Sequence, residues 1–176
     1  MKRYIMTGAP STGKTTLINA LNKKGYTTFE EVSRRVIISE QESNGTRTPW
    51  QDVKAFTDTV YDKTINELDV PIKSTAFVDR GLADNIAYLK LQRLSIPEKF
   101  LNFDYHNFYH KKVFMLPLWK DIYIQDNQRL QSFEEAERLH VLLMETYQTL
   151  GFSLQLLPKQ SVEERWKFMR SYIELI

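Results

Sequence analysis

Nine residues near the start of the chain have the types and spacing to hold phosphate. Gly8-Ala9-Pro10-Ser11-Thr12-Gly13-Lys14-Thr15-Thr16 fits the pattern G-x-x-x-x-G-K-[ST], with Gly8, Gly13, Lys14 and Thr15 at the fixed positions. Glycines at the two ends let the backbone turn tightly and approach phosphate oxygens closely. The amides between them can point inward as an anion-binding nest, and the helix that follows adds the positive end of its dipole. Lys14 is placed to reach β- and γ-phosphates, and the Thr15 hydroxyl to ligate Mg²⁺.

Other chemistry-bearing residues lie just past hydrophobic runs. Asp79 ends Thr75-Ala76-Phe77-Val78 and can hold Mg²⁺ beside Thr15; its alternative role is to cap the helix beyond Gly81. Arg80 can fork onto substrate or product phosphate, or serve as a surface ion pair. Glu31 follows Tyr26-Thr27-Thr28-Phe29 and can orient or deprotonate an attacking hydroxyl. Glu30 is the weaker candidate for that role, and either carboxylate can instead be a helix-start charge. Arg34, one turn on, can clamp an acidic substrate or pair with Glu31. Moving phosphoryl charge calls for cations that close over it, and Arg129 is preferred to Lys120 and Arg138 for that task. His106 and His110 are four residues apart, but with no Glu between them and no third ligand they read as structural.

The elements that must position these groups alternate. Tyr4-Ile5-Met6 reads as a buried strand, followed by a helix through Leu17, Ile18 and Leu21 that closes at Lys23-Lys24-Gly25. A second strand, Tyr26 to Phe29, leads to a helix ending near Glu42. Thr48-Pro49-Trp50-Gln51 predicts the next helix start, with Thr48 as cap and Gln51 completing a capping box, and a stripe of Val53, Phe56, Val60 and Leu68. The third strand, Thr75 to Val78, is followed by a helix through Ile86 and Leu91, then by short aromatic-rich helical pieces from Ser95 to His110. The fourth strand is Val113 to Leu116, and residues Trp119 to Gln131 show no clear period. Ser132-Phe133-Glu134-Glu135 opens a long amphipathic helix, Ser153 to Leu157 is a fifth strand, and Ser161 caps the last helix. Strand and helix in alternation predict an α/β fold: a parallel sheet with helices on both faces and the ligand at the carboxyl ends of the strands.

Bulk properties fit one domain spanning residues 1–176. A net charge of +2 argues against nucleic acid as the main partner. The absence of cysteine excludes disulfides and thiol chemistry and fits a cytoplasmic setting. A strand so near Met1 leaves no room for a signal peptide, and no apolar run is long enough to span a membrane. Oligomeric state leaves no trace in the pattern.

Taken together, the phosphate loop, Gly25-Tyr26 leading to Glu31-x-x-Arg34, Asp79-Arg80-Gly81 leading to Asp84 and Tyr88, and Trp119-x-x-x-Tyr123-x-x-Asp126-x-x-Arg129-x-x-Ser132-Phe133-Glu134-Glu135 resemble a family of small P-loop proteins. These are ATPases of AAA type, grouped with the nicotinamide-riboside kinase domain of NadR-type proteins. The order of Glu, Asp-Arg and lid Arg is also similar to deoxynucleoside and thymidylate kinases. The resemblance implies a nucleoside-kinase-like P-loop NTPase sheet of five parallel strands in the order 2-3-1-4-5. It also implies a lid at about residues 117–131 and an adenine pocket formed partly by Pro158 to Ser161. A ring-forming AAA+ motor differs: it carries an Asp-Glu pair after the third strand, where this chain has Asp79-Arg80, and a separate helical domain.

The expected function is an ATP- and Mg²⁺-dependent small-molecule kinase. It would move the γ-phosphoryl group to a hydroxyl of a nucleoside-like acceptor, with Lys14, Glu31, Asp79, Arg80 and Arg129 as working residues and Glu31, Arg34 and Arg80 facing the acceptor. The alternative is an ATPase or a nucleotide-dependent switch with a protein or lipid partner, since one branch of the resembled family is implicated in GTP and lipid binding. Asn22-Lys23-Lys24-Gly25 lacks the Asp of a guanine-reading Asn-Lys-x-Asp run, which favours ATP. No basic amphipathic helix supports a lipid surface.

Overall fold

The computed structural model describes residues 1–123 and 132–173. The chain forms β1 (Arg3–Thr7), α1 (Lys14–Lys23), β2 (Thr27–Phe29), α2 (Val32–Glu42), α3 (Val53–Leu68), β3 (Ala76–Asp79) and α4 (Asp84–Leu91). Two single-turn helices, α5 (Glu98–Leu101) and α6 (Tyr105–Phe108), lead into β4 (Tyr109–Met115). A 3-10 turn at Lys120–Ile122 precedes α7 (Phe133–Thr149), β5 (Ser153–Leu156) and α8 (Val162–Arg170). The five strands form one sheet in the order β2-β3-β1-β4-β5, with every pairing parallel. That is the order the resemblance implied.

The central strands are buried on both faces, so they read as continuous apolar runs and not as alternating ones. Their two-residue period still sorts side chains between two cores. Tyr4, Met6, Phe77, Phe114 and Leu116 pack with Leu17, Ile18 and Leu21 of α1 and with Trp166 and Met169 of α8. Ile5, Val78, Val113 and Met115 point to the opposite face, against α4, the Phe100–Tyr109 aromatic segment, and Leu139, Leu143 and Tyr147 of α7. Full burial of one such aromatic or aliphatic side chain is worth about 1.5–3 kcal/mol. A smaller cluster of Val32, Val36, Ile37, Phe56 and Val60 joins α2 to α3. Arg3, though in the sheet, closes the far end of α3: its Nη2 donates to the carbonyls of Glu67 and Leu68 (3.1 and 3.2 Å), two of the acceptors a helix terminus leaves open, and to that of Val70 just beyond the helix (2.6 Å).

Most strand ends differ from the sequence reading by a single residue, and two boundaries differ by more. Thr48 does not cap α3. Its hydroxyl donates to Gln51 Oε1 (2.9 Å), residues 49–51 form a turn, and the cap is Asp52, whose Oδ1 accepts from Ala55 N–H (3.0 Å). β4 begins at Tyr109, not Val113, because Tyr109 pairs with Arg3 of β1 before a register shift. His106 and His110 therefore lie on different elements. His106 Nε2 contacts the Leu150 carbonyl (2.9 Å) and His110 stacks on Tyr4. The capping box foreseen at Ser132 and the cap foreseen at Ser161 are formed.

Candidate active site

The phosphate loop leaves β1 and enters α1. Gly8 has φ +148, and a Cβ there would lie 2.6 Å from the Leu116 carbonyl oxygen. Gly13, with φ +84, is the N-cap of α1 and closes the loop in a left-handed conformation. The loop is braced from within: Thr12 Oγ1 donates to Ala9 O (3.0 Å), and Lys14 Nζ donates to the carbonyls of Gly8 (2.9 Å) and Ala9 (3.0 Å). Lys14 is buried, and that burial, reinforced by the Arg80 charge and partly offset by Asp79 and Glu31, lowers its ammonium to about 8.

Beside the loop, the carboxyl end of β3 delivers Asp79 and Arg80. Thr15 Oγ1 donates to Asp79 Oδ2 at 3.4 Å, while Asp79 Oδ1 is buried without a hydrogen-bond partner. Burial, with the Glu31 charge adding to it, raises the Asp79 carboxyl to about 6. An ionisable oxygen left unanswered beside a threonine hydroxyl and a phosphate loop fits a divalent cation. Among the described residues no group of three or more His, Cys, Asp or Glu side chains gathers around a metal. A cation here would thus rest on Asp79, Thr15 and phosphate oxygens, the partial protein ligation that Mg²⁺ adopts with nucleotides. Asp79 is not the cap of α4; that position belongs to Ala83.

Arg80 adopts φ +71, an uncommon conformation for a residue with a Cβ. It is held there from several sides. Its backbone N–H donates to Met6 O (2.9 Å), its Nε to Glu31 Oε1 (2.8 Å), and its Nη1 to Gly8 O and Asp84 Oδ2 (both 3.0 Å). This is a buried ion-pair network, not the surface pair considered from sequence. Glu31 also accepts from Ser33 Oγ (2.6 Å). Burial alone would push the Glu31 carboxyl up, but Arg80, Lys14 and these hydrogen bonds outweigh it and hold it at about 2. Glu31 pairs with Arg80 and not with Arg34.

One cavity of about 340 Å³ collects Lys14, Thr15, Glu31 and Arg80; Asp79 does not line it, and lies with Asp84 on a smaller neighbouring cavity that shares Arg80 and Tyr88. Pro10, Ser11, Thr12, Gly13, Lys14, Thr15 and Thr16 line the larger cavity with Glu31, Ser33, Arg34, Arg80 and Tyr88. Glu31 lines it and Glu30 does not. Gly8 and Ala9, the first residues of the loop, are buried and do not line the cavity. Lys120 and Arg138 are exposed and do not line the cavity. Arg129 and most of the expected lid, residues 124–131, lie outside the described residues.

Two groups of site residues escaped the sequence reading as functional candidates. Asp84 accepts from Arg80, from Thr7 Oγ1 (2.8 Å) and, through Oδ1, from Tyr147 OH (2.5 Å), so α4 and α7 hold the arginine that holds Glu31. Arg165 of α8 donates through Nη1 to Thr12 O (2.9 Å) and through Nε to Pro158 O (3.0 Å). It ties the loop after β5 to the phosphate loop, with its Cζ 5.1 Å from the Trp119 ring centroid and its Nη2 buried without a partner. The only available signal for Arg165 was its position four residues beyond a helix cap, which many solvated arginines share.

Residues 3–165, most of the chain, match a protein family described as AAA domain. No curated protein matches by sequence. Among solved structures, deoxyadenosine kinase from M. mycoides with bound dATP is similar at a TM-score of 0.66 and 16% identity, over 98% of each chain. Thymidylate kinase from Candida albicans is similar at 0.63 and 12% identity, over 97% of this chain and 92% of that one. Shikimate kinase from Acinetobacter baumannii in complex with shikimate is similar at 0.54 and 16% identity, over 98% of this chain and 91% of the other. At these identities the similarity shows a shared fold, that of the P-loop kinases.

Proposed function

We propose that this chain, which belongs to the AAA domain family, is a P-loop kinase that transfers the γ-phosphoryl group of ATP to a hydroxyl of a small, nucleoside-like molecule. The reading rests on one feature: the phosphate loop shares its cavity with Glu31, Ser33, Arg34 and Tyr88, so a donor site opens directly onto space for an acceptor. Simple hydrolysis needs no such second half. That the similar structures are kinases of deoxyadenosine, thymidylate and shikimate supports the same class.

In this reading the loop amides and Lys14 hold the β- and γ-phosphates, for which Lys14 must exchange its bonds to Gly8 and Ala9 for phosphate oxygens. Thr15 and Asp79 would hold Mg²⁺, which when bound neutralises charge on the β- and γ-oxygens. Glu31, ionised at neutral pH, accepts a hydrogen bond from the acceptor hydroxyl and fixes its direction. At about 2 it is too acidic to take a proton early, so it acts by orientation. The new bond from the acceptor oxygen to phosphorus forms as the bond from the γ-phosphorus to the β–γ bridging oxygen breaks; ADP leaves with the electron pair, and the hydroxyl proton, released late, passes to an oxygen of the transferred phosphoryl group. Arg80 sets the Glu31 carboxylate, and Arg129 is proposed to close from the lid. The whole chain, residues 1–176, acts as one unit in a cytoplasmic setting, with adenine preferred to guanine.

Incubation with ATP, Mg²⁺ and a metabolite library, read by mass spectrometry, tests this directly. A species that gains one phosphoryl unit with the wild-type protein and not with Lys14→Ala establishes the kinase. Glu31→Gln should keep ATP binding and lower transfer by about 10²-fold, the scale of a lost positioning contact. Turnover of ATP to ADP and free phosphate with no acceptor modified would instead establish an ATPase or switch.

A further inference from the structure

The acceptor half of the cavity contains a cation whose charge no described residue answers. α2 carries two successive arginines with different fates. Arg35 turns to α3 and forms an ion pair with Glu67. Arg34 lines the cavity, half-buried, and has no hydrogen-bond or ion-pair partner among the described residues. The nearest candidate by sequence was Glu31, three residues earlier on the same helix face. That carboxylate is already engaged through Oε1 by Arg80 and Ser33. Further in, Lys14 and Arg80 add positive charge to the same cavity. The cavity that Arg34 lines is also walled by Ile37, Pro49, Phe56 and Tyr88, apolar or aromatic surfaces that offer no counter-charge.

A guanidinium placed beside apolar walls, with its fork unfilled, matches a carboxylate or a phosphate by two parallel hydrogen bonds. An uncharged acceptor would leave that fork unused. A cationic one, such as the pyridinium of nicotinamide riboside, would meet like charge. The aromatic and apolar walls suit a flat or compact ring between the two polar ends. Resting on the kinase reading for the word acceptor, we propose that the acceptor is an anionic ring compound. Its hydroxyl lies toward Glu31 and its oxyanion, carboxylate or phosphate, is gripped by Arg34.

The test is a calorimetric binding series on the full chain, with Mg²⁺ and a non-hydrolysable ATP analogue present, followed by phosphoryl-transfer assays with ATP. The probes are nucleosides, their 3′- and 5′-monophosphates, nicotinamide riboside, and cyclic hydroxycarboxylic acids with the matching carboxamides. An anionic probe should bind while its neutral counterpart binds at least tenfold more weakly, and the phosphate and carboxylate arms identify the oxyanion. Arg34→Gln should weaken that probe about 10–100-fold, as expected for a charge-assisted pair. Arg34→Lys should restore part of the loss, and affinity for the ATP analogue should stay within about twofold. Arg34 bonds to no described residue, so these variants are expected to keep the wild-type melting temperature.

Equal binding of neutral or cationic probes, no Arg34-dependent binding anywhere in the panel, or a loss confined to the ATP analogue would each overturn the proposal. Arg34-dependent binding without transfer would keep it and remove the kinase reading. Transfer to a neutral compound, unchanged in Arg34→Gln, would do the reverse.

Discussion

At the scale of single residues, the site holds ionisable groups under opposite pressures. Glu31 is held charged by Arg80, whereas Asp79 is buried with one oxygen unpartnered and its carboxyl raised from 3.8 to about 6. Because the folded value lies above the ordinary one, the charged form costs stability. The cost is absent below the ordinary value, where the group is protonated folded or unfolded, and fully present once the pH exceeds about 6. Asp79→Asn should therefore stabilise the nucleotide-free protein at neutral pH by roughly 1–3 kcal/mol, and by nothing near pH 3. It should also abolish the Mg²⁺ dependence of ATP binding. Thermal melts across pH, paired with titration calorimetry, check both. The place of Asp79 at the end of a hydrophobic strand, beside Thr15, was legible; its missing partner was not, because no local pattern records which neighbours fail to arrive.

At the scale of elements, α4 and α7 brace the Arg80–Glu31 pair from behind. Tyr147 reaches Asp84 across 63 positions, and Thr7 reaches it across 77. Tyr147→Phe leaves Asp84 Oδ1 short of a buried donor and should cost about 1–2 kcal/mol in urea unfolding. Arg80 keeps its other ties, so kcat should fall several-fold with the KM for ATP unchanged. The element pattern itself was readable wherever local chemistry decides it. Ser132 and Ser161 cap as their neighbours dictate, and Gly25 ends α1 with φ +88. It misled where local chemistry offers two answers. Thr48-Pro49-Trp50-Gln51 suits a helix start, but Asp52 is an equal or better cap and sits directly before the stripe that packs on α2. β4 starts early because β1 supplies a pairing partner for Tyr109, and a strand's partner lies outside any local window.

At the scale of the whole molecule, one sheet separates two cores, and each central strand contributes to both. Phe114 is fully buried on the α1–α8 side. Phe114→Ala should cost about 3–5 kcal/mol. The denaturant transition should nevertheless stay single, with far-ultraviolet and tryptophan signals coincident, since both cores depend on the same strands. Arg165 belongs to this scale as well: its bond to Thr12 spans 153 positions. The nucleotide motif was the first thing visible in the chain, yet a residue near its other end helps to fasten it. That has a consequence during synthesis. A ribosome-bound chain that has emerged only as far as β5 displays every residue of the motif but lacks the clasp on Thr12. Such a chain should bind ATP at least tenfold more weakly than the released protein, and full affinity should appear only when α8 emerges. Arrested nascent chains of graded length, probed with a fluorescent ATP analogue, would show this as a late step. Nucleotide capture would then report the docking of α8 on the phosphate loop.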